Sequence, residues 1–155
     1  MGGRLVLLLL ISISAIKAAG GVVYVASEAQ LQSAIDSATG STMVNITGDI
    51  VLAPGTACEQ HLYSISIVNK MLTINGNGYS IGFADKTHSY GGCISISSSS
   101  TVVMNDLVIK NGYTGTGYTC DGFASGVTTY VKASGISVSS SDLTLNSVSL
   151  LDHTG

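Results

Sequence analysis

Beyond residue 62, apolar residues alternate with small or polar residues in short runs of three or four positions. This period of two buries one face of a β-strand and exposes the other, so each run predicts a short strand. The runs fall into three similar stretches, each with three runs: Ile65–Ile67, Leu72–Asn75 and Tyr79–Ile81; Ile94–Ile96, Val102–Asn105 and Leu107–Ile109; and Ile136–Val138, Leu143–Asn146 and Val148–Leu150.

Three short strands cannot bury their apolar faces alone, but stacked repeats can enclose a continuous core. An asparagine stands between the second and third runs of every stretch: Asn75, Asn105 and Asn146. Asparagine tolerates the left-handed backbone of a sharp corner, and stacked asparagines can form a hydrogen-bonded ladder. The sequence therefore favours an all-β stack of parallel coils over an antiparallel β-sandwich, which also has strands at intervals near ten residues.

The segment before the repeats predicts a strand, a helix and a second β-segment. Ser27 and Gln30 are spaced as in a helix-capping box, and Gly40 is placed to end the helix. The predicted strands are Val22–Val25 and Met43–Leu52, and the apolar stripe of the helix is Leu31, Ala34, Ile35 and Ala38. We expect residues 21–52 to cap the stack, and residues 53–155 to form about three coils with loop excursions at 82–92 and 111–134.

The first twenty residues have the layout of a secretory signal peptide. A short basic start is followed by twelve apolar residues, LVLLLLISISAI, and then by small residues. Twelve residues rise about 18 Å as a helix, which is less than the roughly 30 Å hydrocarbon core of a membrane. The sequence thus predicts a cleaved signal over 1–20, a mature chain without a membrane span, and a secreted or cell-surface location.

The charge of the chain argues against nucleic-acid binding. Only 10% of the 155 residues are charged, the net charge is −3, and Arg4 is the single arginine. A nucleic-acid binder needs a basic face to displace counterions from phosphates.

Export implies an oxidising compartment, in which Cys58, Cys93 and Cys120 are candidates for a disulfide. The odd number leaves one cysteine over and the sequence does not fix the pairing, although Cys93–Cys120 is weakly favoured because their segments flank the same coil. Asn45-Ile46-Thr47 is a candidate glycosylation sequon within a predicted strand.

Two phrases carry a family resemblance, LTINGNGYSI (72–81) and VVMNDLVIKNG (102–112). They resemble the right-handed parallel β-helix superfamily, which has the pectate-lyase-like fold, and within it they are most similar to polymorphic outer-membrane and adhesin-like surface proteins. The segment 22–52 resembles the N-terminal cap of such helices. The resemblance implies a right-handed parallel β-helix, but the superfamily includes both enzymes and non-catalytic surface proteins.

The residues indicate no catalytic, metal or cofactor site. A lyase of this superfamily would imply clustered carboxylates holding calcium and a basic residue, whereas the acidic residues here are scattered and the mature chain has no arginine. A polysaccharide lyase or glycoside hydrolase whose catalytic coils lie beyond this chain is therefore the alternative to a non-enzymatic role.

The excursion 111–134 has the character of a binding loop. Its aromatic residues stand among glycine and threonine, which suits contact with a glycan or a partner surface, although packing of the rings against the flank of the stack is the favoured interpretation. We expect a structural, adhesive or carbohydrate-recognition role, with polysaccharide or cell-surface glycan as the partner. The candidate contacts are Tyr113, Tyr118, Phe123 and Tyr130.

The third stretch stops shortly after Leu150, which leaves the apolar side of the last coil without a cover. We therefore expect the chain to be a fragment, or to meet further coils or another chain at this end.

Overall fold

A computed structural model describes residues 20–53, 63–84, 92–112 and 135–151. The predicted signal peptide, apart from Gly20, and the candidate contacts in the excursion 111–134 lie outside these residues. The described elements are β1 Val22–Val25, α1 Glu28–Ser37, β2 Ser41–Ile46, β3 Ile50–Leu52, β4 Tyr63–Val68, β5 Met71–Asn75, β6 Ser80–Phe83, β7 Gly92–Ser97, β8 Thr101–Lys110, β9 Ile136–Val138 and β10 Asp142–Leu151.

All strand pairs among the described residues are parallel, and they form three columns. The first column runs β1-β2-β5-β8-β10, and the second runs β3-β6-β8-β10, since β8 and β10 are long enough to belong to both. The third column is the separate sheet β4-β7-β9. The chain is thus an all-β domain of parallel sheets with one helix, and an antiparallel sandwich is excluded for the described residues.

The register of the columns explains the core. In the first column Val44 pairs with Ile74, and Ile74 pairs with Met104, and all three side chains are buried. The alternation within each strand turns these residues inward together, so the columns share one apolar core. The next residue in the series, Leu145, lies opposite Met104 but is 42% exposed, because β8 is the one neighbour of β10 among the described strands.

Several predicted element boundaries were wrong. The segment Met43–Leu52 forms two strands, and both of them pair in register with strands of the first repeat, β2 with β5 and β3 with β6. Conversely, the second and third runs of the later two stretches are joined in the single strands β8 and β10. Gly82 and Gly92, at the bounds of one predicted excursion, belong to β6 and β7.

The sharp corner within β8 and β10 is formed by the residue after each asparagine. Asp106 and Ser147 have φ values of 48° and 54°, whereas Asn105 and Asn146 do not have positive φ. The expectation that asparagine itself adopts the left-handed conformation was wrong. The asparagine side chain hydrogen-bonds to the neighbouring strand, and the residue after it has the positive φ that turns the backbone.

Helix α1 begins as the sequence predicts, with the Ser27 hydroxyl accepting a hydrogen bond from the Gln30 N–H at 3.3 Å. It ends earlier than expected, since Ala38 is the C-cap and Gly40, with φ of 70°, follows two residues later. Leu31, Ala34 and Ile35 turn inward and cover the apolar core.

The outer side of α1 protects the edge of β4. The Gln32 side-chain amide donates to the Ser66 carbonyl at 3.0 Å and accepts from the Ser66 N–H at 2.9 Å. The amide thereby takes the place of a neighbouring strand, and it satisfies two backbone groups that an edge strand would leave open. Lys70 Nζ fixes the other end of the helix by donating to the carbonyls of Asp36 and Ala38.

The substitution Gln32→Ala tests this protection. It removes both hydrogen bonds to Ser66 and also the exposed one that the Gln32 nitrogen donates to Asp36 Oδ1 at 2.8 Å, and we expect the free energy of unfolding to fall by about 1–2 kcal/mol. Ser33→Ala is the matched control, because Ser33 is exposed on the same helix and its side chain makes no hydrogen bond to any other described residue. Urea titration of both variants measures the difference, and equal effects would contradict a specific role for the amide.

Candidate contact surface

Four asparagines form a hydrogen-bonded row along the outside of the first column. The side-chain nitrogen of Asn75 donates to Asn45 Oδ1, that of Asn105 donates to Asn75 Oδ1, and that of Asn146 donates to Asn105 Oδ1, each at 2.9 Å. Three of the residues are the asparagines shared by the repeats. The fourth, Asn45, extends the row into the segment before them. We call these four residues the asparagine row.

The asparagine row keeps hydrogen-bonding capacity for a partner. An amide has two N–H donors and an oxygen with two lone pairs, and the bonds between inner neighbours use one donor and one lone pair. One N–H and one lone pair of each inner amide therefore stay available, repeated at the strand spacing of about 4.8 Å. The candidate glycosylation site Asn45 belongs to this row through its oxygen, and its modification stays a prediction.

Exposed apolar side chains lie beside the N-terminal end of the row. Tyr24 pairs with Asn45, and Val22 pairs with Met43 one position further along the sheet face. Met71 pairs with Ser41 and lies diagonally from Met43. Tyr24, Val22 and Met71 are 69%, 54% and 55% exposed, and Met43 is 40% exposed. We call Val22, Tyr24, Met43 and Met71 the outer patch.

A shallow groove of about 380 Å³ separates β1 from α1 and adjoins the outer patch at Tyr24. Three consecutive residues of β1 line one wall, so that wall includes the edge of the strand and its backbone. Uncharged helix residues line the other wall. We call this the N-terminal groove, and it is lined by Val23, Tyr24, Val25, Ala29, Gln30, Ser33, Ala34 and Ser37.

The described carboxylates serve local structure. Asp49 Oδ1 accepts from the Ser80 N–H at 2.8 Å and from its hydroxyl at 2.9 Å. The register places Asp142 opposite Thr101 and Asp106 beside Ser147, about 16 Å apart along the strand at 3.3 Å per residue, so the two carboxylates do not meet. Within the described ranges, no group of three or more His, Cys, Asp and Glu side chains could hold a metal ion.

The contact between Asp49 and Ser80 predicts a response to acid. The backbone N–H of Ser80 is the largest cause of a lowered Asp49 pKa, followed by its hydroxyl and by the charge of Lys110. A carboxyl whose pKa is lower in the folded state stabilises the fold above the unfolded value of 3.8, and the contribution is lost as the pH falls below it. Between pH 4 and pH 2 we therefore expect the melting temperature to fall less steeply in Asp49→Asn than in the wild type, as thermal melts would measure. Parallel curves would contradict this assignment.

Cys93 is a free thiol buried beneath β8, and its Sγ donates a weak hydrogen bond to the Lys110 carbonyl at 3.6 Å. Burial raises the pKa of this thiol to about 12. The described residues therefore give no support to the weakly favoured Cys93–Cys120 disulfide, which stays a prediction. Cys58 and Cys120 lie outside the described residues.

The residues that the structure brings together at this surface were only partly found from the sequence. The asparagines shared by the repeats lie in one row, but Tyr24, Met43 and the groove were missed. A usable signal was present, because alternation in Val22–Val25 turns Tyr24 to the face opposite the buried Val25. Of the described residues, no helix has the length and apolar character needed to cross a membrane.

Comparison with known proteins gives one finding. A family model described as "Putative pectate lyase-like adhesive domain" matches residues 22–151. No curated protein and no solved structure matches the chain.

Proposed function

Because the chain belongs to the family of pectate lyase-like adhesive domains, whose match covers residues 22–151, we propose that it is a secreted or cell-surface adhesive protein. In this proposal the domain is a right-handed parallel β-helix, and the outer patch is its contact surface. The segment 1–20 directs export. Residues 21–52 close the N-terminal end, with β2 and β3 paired to the first repeat, and residues 53–155 supply the repeated coils.

The spacing of paired residues supports the β-helix. Leu72 pairs with Val102 thirty residues later, and Ile65 pairs with Ile94 twenty-nine residues later. Each circuit of the chain thus returns to the same column one strand further on, as successive coils of a solenoid do.

The observation that carries the adhesive proposal is the outer patch. Four large apolar side chains lie exposed and adjacent on one sheet face, although the sheet has an apolar core available on its other side. Contiguous exposed apolar side chains with a polar rim are typical of interaction sites. Tyrosine and methionine are also enriched where proteins contact their partners, and the asparagine row supplies the polar rim.

A rigid backbone beneath the contact surface favours adhesion because no backbone order has to be gained on binding. The strands beneath the patch are held by parallel pairing, and the asparagine row is fixed by its own hydrogen bonds. The surface is therefore organised before a partner arrives.

The substitution Met71→Glu tests the patch. A carboxylate there would have to be desolvated on contact, and we expect attachment of cells displaying the domain to a host-cell or polysaccharide surface to fall about five-fold or more. Val68→Glu is the matched control, since Val68 is 47% exposed on the third column. Equal attachment of the two variants would refute the patch as the contact surface.

Export is tested separately by expressing the chain with and without residues 1–20. We expect the intact chain in the medium or on the surface, and the shortened chain in the cytosol. Retention of the intact chain in the cytosol with its N-terminus uncleaved would overturn the secretory part of the proposal.

A further inference from the structure

We propose that the N-terminal groove binds a ring of a neutral sugar, so that the domain recognises uncharged glycans. The inference rests on the proposed adhesive function and names the chemical class of its ligand. It concerns the groove between β1 and α1.

The shape and surface of the groove suit a sugar ring. Its volume of about 380 Å³ lies in the range of small-molecule sites. Tyr24 is one of the lining residues, and its side chain is exposed on the adjoining outer patch, where an aromatic face can pack against the C–H side of a sugar. Val23, Ala29 and Ala34 add an apolar surface against which the same side of the sugar can lie.

The groove also offers hydrogen bonds that the protein does not use itself. Among the described residues, the Ser33 hydroxyl, the Tyr24 hydroxyl and the Gln30 side-chain N–H groups have no hydrogen-bond partner, whereas the Gln30 oxygen accepts from the Ala26 N–H at 2.8 Å. That bond holds the Gln30 amide in place and leaves its nitrogen free to donate. The Ser37 hydroxyl is engaged with the Ser33 carbonyl at 2.8 Å. A ring with several hydroxyl groups can match donors and acceptors placed in this way.

The electrostatics of the groove select against an acidic sugar. The eight described residues that line the groove are uncharged, and a basic group near it, Lys70 Nζ, donates to the carbonyls at the end of α1. The charged side chains of α1 itself are acidic, Glu28 and Asp36. A uronate carboxylate would therefore lose hydration without gaining a cation, which is unfavourable.

Binding to immobilised polysaccharides tests this inference. The full chain is applied to neutral galactan and xylan and to acidic polygalacturonate, at low and high salt. We expect binding to a neutral polymer that changes little with salt, because no ion pair is formed. Stronger binding to polygalacturonate with a steep loss at high salt would overturn the inference.

Ser33→Tyr fills the groove from an exposed position of the helix and leaves the outer patch intact. We expect it to reduce binding to the neutral polymer by about tenfold or more, which is a loss of about 1.4 kcal/mol. Ser149→Tyr is the matched control, an exposed serine on β10. Equal binding by both variants would refute the groove as the site.

The two proposals fail in different ways. If no neutral polymer binds while attachment still depends on Met71, the sugar assignment is wrong and the adhesive patch stands. If neutral polymer binds and Ser33→Tyr abolishes it while attachment is insensitive to Met71→Glu, the groove stands and the patch is wrong.

Discussion

Replacing Gly76 with alanine is expected to destabilise the domain strongly, because the backbone of a neighbouring strand occupies the space of the new Cβ. A Cβ at Gly76 would lie 2.3 Å from the Asp106 carbonyl oxygen and 2.6 Å from Leu107 Cα. Both atoms belong to the backbone of the adjacent strand, which cannot move aside as a side chain can. The Gly76 N–H also donates to the Asn105 carbonyl at 2.7 Å, and this bond would have to stretch.

Overpacking in a core costs about 1–3 kcal/mol, and a clash with backbone lies at the upper end of that range. We expect a loss of about 3 kcal/mol or more, which corresponds to a fall of roughly 10 °C in melting temperature for a chain of this size. Differential scanning calorimetry measures it.

The matched control is Gly48→Ala, in which the new Cβ would meet only Ala26 Cβ at 4.0 Å. Its effect should lie within about 0.5 kcal/mol of zero. Gly82→Ala should behave like Gly76→Ala, because its Cβ would overlap the Lys110 carbonyl at 2.1 Å. Two melting temperatures close to that of Gly48→Ala would show that the strands are spaced more widely at these positions.

Replacing Asn75 with alanine is expected to cost about 2–3 kcal/mol of unfolding free energy. The substitution breaks the bonds to both Asn45 and Asn105, and it leaves an oxygen and a nitrogen of half-buried amides without their partners. Each intramolecular hydrogen bond contributes about 1 kcal/mol, and an unsatisfied partner adds to the loss.

The end of the row provides the control. Asn146→Ala breaks a single bond, and Asn146 is exposed, so its cost should be about 1 kcal/mol or less. The double substitution of Asn75 and Asn105 should cost less than the sum of the single ones, because the two residues share a bond. Urea titration gives all four values, and equal losses for Asn75→Ala and Asn146→Ala would contradict a ladder that acts as a connected unit.

The alternation of apolar and polar residues predicted the columns of strands well, because a repeat of two residues is typical of a β-strand with one buried face. Ile65 and Ile94 were placed at the same position of successive repeats, and they are register partners. The joining of two runs into β8 was not predictable, since a single positive φ at Asp106 turns the strand without breaking its pairing. A turn that ends a strand and a corner within a strand interrupt the alternation of apolar and polar residues in the same way, so the sequence pattern does not distinguish them.

The contact surface was less predictable because it depends on residues distant in sequence. Gln32 reaches Ser66, thirty-four residues away, and no local pattern marks that pair. Asn45 was interpreted as a glycosylation candidate because its own sequon is a local signal, whereas its place in the row follows only from the register of β2 and β5. The outer patch likewise requires Tyr24 and Met71 to meet on one face.

The asparagine row has a direction. Every bond in it runs from a nitrogen on the later strand to an oxygen on the earlier one, so the amide dipoles align and polarise one another. The terminal oxygen is that of Asn146, and the terminal nitrogen is that of Asn45, which is also the atom that N-glycosylation would modify. Glycan attachment to that nitrogen would thus break none of the bonds in the row. If the amides were reversed, the Asn45 nitrogen would donate to the Asn75 oxygen, and glycan attachment to that nitrogen would disturb this hydrogen bond.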